Sequence, residues 1–219
     1  MKNKFIKLLG IKISVFDKLE ILSLIKSNIE KSKKSLISYV NIHAMNISVI
    51  DTRFHNVLNN AELIFNDSYG IRLASRITGQ YIPPRNTPPD WINELSELCI
   101  NNKFTMYFLG GKDGVSRKAA DKLIEKYPEL CIVGTEHGYY DKFKASIENN
   151  ELIKKINKKR PDILVVGFGM PLQEFWIDEN YEDIDTKIFL PVGAFFDYIS
   201  ENKNRSPKWI TSNGLEWIA

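Results

Sequence analysis

The residues of this chain best suited to chemistry are one carboxylate and a set of glycine-bearing turns. Asp67 lies in Asn66-Asp67-Ser68-Tyr69-Gly70, directly after a short apolar run. A carboxylate there can cap the following helix or take a proton from a ligand, and local sequence alone favours the cap. Gly110-Gly111-Lys112-Asp113-Gly114 runs straight into a helical pattern from Val115. Glycine lets backbone approach a ligand closely, and the first N–H groups of a helix attract anions. A plain strand-to-helix turn accounts for this run equally well. Gly167-Phe168-Gly169-Met170-Pro171-Leu172 approaches a dinucleotide fingerprint, but Leu172 replaces the third glycine and no acid closes the next strand. Pro171 fits the first position of a helix. Gly138-Tyr139 and Gly193-Ala194-Phe195-Phe196-Asp197 complete the series. One such turn is ordinary; several on one sheet edge indicate a phosphate-bearing ligand.

Other chemistries are poorly provided for. Asp183-Ile184-Asp185 has the acid-x-acid form of metal-using sugar transferases. It precedes a strand, at the edge of a sheet away from ligands, and reads as a solvated turn. His43, His55 and His137 lack ligand spacing, and neither a nucleophile elbow nor a Walker loop occurs. No metal and no cofactor are expected. Cys99 and Cys131 sit in apolar surroundings without metal or redox spacing, as two core thiols of a reduced, cytosolic chain. Lys154, Lys155, Lys158, Lys159 and Arg160 close a helix, where cations complement the dipole.

A sheet must hold these turns in place. Strand-like runs are Ile11–Phe16, Leu36–Asn41, Leu63–Asn66, Thr105–Leu109, Cys131–Thr135, Ile163–Gly167 and Lys187–Val192. Helical patterns cover Leu19–Ser32, Ala44–Asn59, Tyr69–Thr78, Asp90–Ile100, Gly114–Lys126, Ile147–Lys159 and Pro171–Asn180. Such alternation predicts an α/β fold, a parallel sheet with helices on both faces, in one domain over 1–219. Ligands of such sheets bind beyond the carboxyl ends of the strands, where the turns above lie.

The formal net charge of +3 is too small for a nucleic-acid binder. Its distribution says more: residues 1–36 hold nine lysines against Asp17, Glu20 and Glu30, so the remainder is net negative. A basic end suits an anionic membrane surface, at about 1 kcal/mol per lysine, or is simply a solvated helix face. No apolar stretch reaches the roughly 18 residues of a membrane span. The stretch Phe5–Ile13 is cut by Lys7 and Lys12 and is not a secretory signal.

Ordered motifs then cover nearly the whole chain: the Asn41 strand exit, Asn66-Asp67 with Gly70, and Phe108-Leu109-Gly110-Gly111 with Gly114-Val115. Tyr127-Pro128, Gly134 with Gly138-Tyr139, and Arg160-Pro161-Asp162 through Gly167-Phe168-Gly169-Met170-Pro171-Leu172-Gln173-Glu174 follow. Gly193-Ala194-Phe195-Phe196-Asp197, Arg205-Ser206-Pro207-Lys208-Trp209 and Gly214-Leu215-Glu216-Trp217 end the series. With these motifs the chain resembles the WecG/TagA/CpsF glycosyltransferases, glycosyltransferase family twenty-six.

The resemblance implies a Rossmann-like fold and inverting, metal-independent sugar transfer. Its donor is a UDP-sugar, N-acetylmannosamine-type or a related hexose. Its acceptor is a polyprenyl-diphosphate-linked sugar at the cytoplasmic face of the membrane, in teichoic acid or surface polysaccharide synthesis. Asp67 matches the proposed general base, Asn41 and Gln173 match polar residues at the reacting centre, and Asp197 matches a donor-binding acid. Tyr39 stands where threonine is frequent and leaves the sugar open. Asp67-Ser68 replaces the usual Asp-Gly, and Arg85-Asn86-Thr87-Pro88-Pro89-Asp90 departs from Arg-x-x-Gly-x-Asp. The proline pair is expected to stiffen an acceptor loop. Arg72, Arg76 and Arg85 are candidates to offset leaving-group charge. Family members continue past Trp217 into a basic appendage, so an end at Ala219 implies that arginines for site closure are missing. Trp209, Ile210, Leu215, Trp217 and Ile218 either pack back on the domain, the plainer reading for Trp209, or form a patch suited to a membrane or homo-oligomer contact. Two alternatives stand beside this: a nicotinamide-dependent oxidoreductase, which the fold class permits, and a non-catalytic nucleotide-sugar-binding domain.

Overall fold

The computed structural model describes residues 5–201. Alternating apolar residues around a tight turn make β1 (Phe5–Leu8) and β2 (Ile11–Ser14) an antiparallel hairpin. Leu9 and Gly10 at the turn both have positive φ, which matches the twist of the two strands. The strand expected over Ile11–Phe16 therefore forms a sheet of its own and does not join the parallel one. α1 (Lys18–Glu30) opens on a capping box between Asp17 and Glu20. β3 (Ser35–Val40), buried along its whole length, leads into α2 (Ile42–Ile50) and α3 (Thr52–Asn60). The single helix expected over Ala44–Asn59 is broken because Asp51 is extended and its carboxylate caps the Phe54 N–H at 3.0 Å.

β4 (Leu63–Asn66) and α4 (Tyr69–Ile77) follow, then α5 (Pro88–Asn102). The proline pair does not stiffen a loop; it opens α5, where its missing N–H groups cost no hydrogen bond. The rest alternates: β5 (Thr105–Gly110), α6 (Val115–Lys126), β6 (Cys131–Glu136), α7 (Ile147–Lys159), β7 (Ile163–Gly167), α8 (Leu172–Asn180), β8 (Ile188–Pro191) and α9 (Phe195–Ile199). α9 is not expected from the sequence.

The main sheet has the order β4-β3-β8-β7-β5-β6, with every pair parallel. From β3 the chain winds outward to β4, crosses to β5 and β6, and returns inward through β7 to β8. The last strand thus lies beside the first. One face of the sheet, with Ile37, Phe65, Phe108, Val165 and Leu190, packs under α1, α5, α6 and α9. The other, with Leu109, Leu164, Val166 and Phe189, packs under α7 and α8. A third core of Ile6, Ile11, Ile13, Met45, Phe54, Ile64 and Ile71 joins the hairpin to α2, α3 and α4.

Cys99 is buried, but Cys131 is exposed on the edge strand β6, so only one of the two is a core thiol. Asp183 and Asp185 precede β8 and face Lys144 (3.0 Å) and Arg160 (2.9 Å), as a charged surface turn should. The apolar cluster Trp209, Ile210, Leu215, Trp217 and Ile218 and the motifs from Arg205 onward lie outside the described residues.

Candidate active site

The exits of β5, β7 and β8 are bare backbone. A Cβ on Gly110 would come within 2.3 Å of the Gly167 carbonyl oxygen, and one on Gly167 within 2.8 Å of the Gly193 carbonyl oxygen. The row is laced by hydrogen bonds from Gly111 N to Gly167 O (3.1 Å) and from Gly138 N to Gly111 O (2.8 Å). Above it opens a cleft of about 640 Å³, lined among others by Gly111, Gly138, Tyr139, Gly169, Gly193 and Asp197. The sequence-predicted glycine turns do converge on one edge.

Side-chain caps are missing at the helix starts that face this cleft, and also at α5, which opens on its proline pair. α1, α2, α3, α4 and α7 are capped by the side chains of Asp17, Asn41, Asp51, Ser68 and Ser146. α6, entered from Gly114, and α8, entered from Pro171, have no side-chain cap. Of their first-turn N–H groups, Val115 N donates to Lys112 O (3.0 Å) and Gln173 N to Gly169 O (3.1 Å), while those of Ser116, Arg117 and Leu172 stay available to an anion. Pro171 occupies the position before the first helical residue, one earlier than expected. Lys142 is a residue that sequence reasoning missed. Its Nζ donates to the Gly138 carbonyl and lies 4.8 Å from the Phe168 ring centroid, at the cleft wall. Burial lowers its pKa, as a half-desolvated ammonium requires. Only the folding of the Tyr139–Phe143 loop brings it there, and no motif marks it. Lys142→Ala is expected to weaken binding of inorganic pyrophosphate about tenfold, the loss of one charge-assisted contact of about 1.4 kcal/mol, measured by calorimetry.

Asp67 stands on the other side of β8. Its N–H donates to Val40 O (2.9 Å), extending the β3–β4 pairing by one residue. The cap expected of it belongs to its neighbour: Ser68 caps α4 by accepting from Gly70 N at 3.1 Å. The Asp67 carboxylate faces Arg85 Nε at 3.3 Å instead. Asn66 builds this pairing, because its backbone oxygen accepts from Asn86 N (2.7 Å) and its Nδ2 donates to Pro83 O (3.5 Å). Together these bonds pin the Arg85 loop against the strand exit. Asn41 spends its Oδ1 on Ala44 N (2.9 Å) as the α2 cap, which orients its amide at the β3 exit. Arg72 follows on α4 with its Nε buried and unpartnered, while Arg76 is exposed.

Between these halves lie Tyr39, Gln173 and Glu174. Gln173 is fully buried. Its Nε2 donates to Glu174 Oε1 (2.8 Å) and to Tyr39 Oη (3.4 Å), and its Oε1 accepts from Gly193 N (3.0 Å). Tyr39 Oη would meet a Cβ on Gly193 at 2.8 Å, so the phenol rests against the cleft's backbone. Burial first, then the negative charges of Glu174 and Asp67, push the Tyr39 phenol far up and keep it neutral. Glu174, also fully buried, has its carboxyl pushed up to about 7 by desolvation. Its Oε2 has no partner.

This carboxyl couples stability to pH. Well below pH 4.5 it is neutral both in the folded and in the unfolded chain and adds no pH-dependent cost. As pH rises toward 7 the unfolded chain ionises first and stability falls; above 7 the penalty, roughly 3 kcal/mol, is complete. Glu174→Gln should therefore gain about that much on the native protein between pH 4 and pH 8, read from urea unfolding. A pH-independent difference would show that the carboxyl does not ionise in that range.

Among the described residues no three His, Cys, Asp or Glu side chains come together as a metal site. A second, smaller pocket beside the cleft, lined by Glu136, Glu148 and Glu151, is acidic and poorly suited to a diphosphate. The model of the Glycosyl transferase WecG/TagA/CpsF family matches residues 6–219. The chain belongs to this family. It is similar to the N-acetylglucosaminyldiphosphoundecaprenol N-acetyl-beta-D-mannosaminyltransferase of Bacillus subtilis (strain 168), 29% identical over 88% of this chain and 73% of that protein. The protein of the same name from Staphylococcus aureus (strain MRSA252) is 25% identical over 86% of the chain and 72% of its own length. The enzyme is thus a glycosyltransferase, which sets aside the oxidoreductase and the non-catalytic domain.

Proposed function

We propose that the enzyme is an inverting, metal-independent transferase that moves an N-acetylmannosamine-type sugar or a related hexose from UDP to a polyprenyl-diphosphate-linked sugar. The observation that carries this is the division of the site. Uncapped helix starts and Lys142 surround a backbone-floored cleft, and the Asp67 carboxylate stands across Tyr39 from it. The UDP diphosphate sits on the α6 and α8 N-termini with Lys142, and Asp197 holds the ribose. Asp67 takes the proton of the acceptor hydroxyl as that oxygen bonds to the anomeric carbon. The bond from this carbon to the diphosphate breaks on the opposite face, and UDP leaves with the electron pair. Helix N–H groups and an ammonium meet that developing charge without a metal. The relatives' names, which specify an N-acetylglucosaminyldiphosphoundecaprenol acceptor, support this choice of acceptor. The test is a panel of UDP-sugars with a short-chain polyprenyl-diphosphate-linked N-acetylglucosamine, the product's anomeric configuration being read by NMR. Inversion with undiminished rate in EDTA is expected. Retention, or loss in EDTA reversed by Mn²⁺, would overturn the mechanism.

The same reading places the enzyme peripherally on the inner face of the cell membrane. No helix among the described residues is long and apolar enough to cross one. The segments around the third core, residues 5–16, 41–50 and 68–89, contain neither Asp nor Glu but include Lys7, Lys12, Arg72, Arg76 and Arg85. Their exposed side chains include Leu9, Ile42, Ile50, Leu73 and Ile77. An apolar, cationic surface beside Asp67 suits an anionic bilayer that presents a lipid-linked acceptor. Leu73→Glu with Ile77→Glu is expected to weaken co-sedimentation with phosphatidylglycerol vesicles at least about tenfold. Equal binding by the variant would move the contact elsewhere.

A further inference from the structure

We propose that Glu174 is a positioning residue for the transfer: with Gln173 it holds the Tyr39 hydroxyl as a hydrogen-bond donor directly beside Gly193, whose backbone lines the cleft. This rests on the reading of the site given above. Gln173 sets the geometry. Its amide can donate two hydrogens, and these go to Glu174 Oε1 at 2.8 Å and Tyr39 Oη at 3.4 Å. Its oxygen takes the Gly193 N–H at 3.0 Å. Turning the amide over would set two N–H groups against each other and a carbonyl against a carboxyl. Only one orientation satisfies all three neighbours. Because Tyr39 Oη accepts from Gln173, its own hydrogen is left for another acceptor. The bare Gly193 backbone leaves room beside that hydroxyl, and an oxygen of the transferred sugar is the acceptor the proposed chemistry supplies.

Glu174 is otherwise hard to account for. No cation pairs with it among the described residues, its Oε2 has no partner, and it is fully buried. A buried carboxyl with one hydrogen bond destabilises a fold relative to an apolar side chain of the same volume. What it does in this structure is fix the amide next to it. Glu174 and Asp67 are the acidic groups whose fields reach Tyr39. A chain of contacts thus runs from a core carboxyl on α8, through Gln173, to a phenol on β3. It gives Tyr39, which stands in place of a threonine frequent in the family, a defined donor direction and a part in choosing the sugar.

The test is a double-mutant cycle on the full chain, read as kcat and as UDP affinity. Glu174→Ala should lower kcat about tenfold with UDP affinity unchanged. Glu174→Gln should recover to within about threefold, because its side-chain oxygen accepts the same bond. In a Tyr39→Phe background Glu174→Ala should change kcat less than about twofold, since the hydroxyl it serves is gone. Equal factors in both backgrounds, or a Gln variant no better than Ala, would overturn the proposal. If Glu174→Ala does not fold, Glu174→Met fills the volume without accepting the bond, and the cycle is run with it. A wild-type enzyme inert towards every UDP-sugar would sink the functional reading and with it the role in transfer, leaving only the coupling of Glu174 to Tyr39 to be tested. The cycle is then read from urea midpoints, where additive shifts would overturn it.

Discussion

Asp67→Asn is expected to lower turnover about 10²–10⁴-fold while UDP binding persists, the usual cost of removing a general base. Asparagine keeps the shape of the side chain and an oxygen that can still accept from Arg85 Nε, so the loop pinned by Asn66 should stay in place. Only the ability to hold a proton is lost. Neither of the other roles open to Asp67 gives this outcome. A cap mutation would melt the first turn of α4, but Ser68 already does that work. A donor-binding residue would show its loss in UDP affinity, and Asp67 stands at β4, two strands away from the glycine row. Turnover and UDP titration on one folded preparation separate the cases; near-normal turnover removes Asp67 from the mechanism.

Gly110→Ala is expected to destabilise the enzyme by about 3 kcal/mol or more and to abolish UDP binding in what remains folded. The added carbon would sit 2.3 Å from the Gly167 carbonyl oxygen, backbone against backbone, where no rotamer can give way. Gly110 also has φ of 147°, a conformation L side chains rarely adopt. To accept the methyl group, β5 and β7 would have to part where they pair through Gly110 and Gly167. That separation would reshape the cleft floor. Gly114→Ala is the control: its φ is 76° but nothing lies within 4 Å of the added carbon, so only the backbone cost of about 1 kcal/mol should appear. Thermal and urea unfolding with UDP titration measure both.

The parallel sheet was legible because strands such as Ile163–Gly167 are buried on both faces and their apolar runs are unbroken. What escaped depends on partners distant in sequence. The β1–β2 hairpin turns on Leu9-Gly10, not one of the dipeptides that announce such a turn, so only its second strand was read, within Ile11–Phe16. Asp51 sits inside an unbroken apolar pattern, and whether its carboxylate caps Phe54 depends on how α2 and α3 pack. At the site, glycines and Asp67 were visible as types at strand exits. Glu174 reads locally as an acid in the first turn of a helix, where the dipole favours it. Its full burial against Gln173 comes from the packing of α8 on the sheet. Lys142 looks like any loop lysine until the loop folds back onto Gly138.

The glycine row at the strand exits also bears on inhibition. A molecule resting on Gly167 and Gly193 touches main chain, and the resistance route of exchanging one contacting side chain for another is closed there. A side chain at Gly167 would meet the Gly193 carbonyl oxygen at 2.8 Å, and one at Gly193 the Tyr39 hydroxyl at 2.8 Å. Escape from such an inhibitor would have to be found at the rim, in residues such as Lys142, Phe168, Leu172 or Asp197, which do carry side chains. Compounds that take most of their affinity from the floor and least from that rim should be the slowest to select resistant variants.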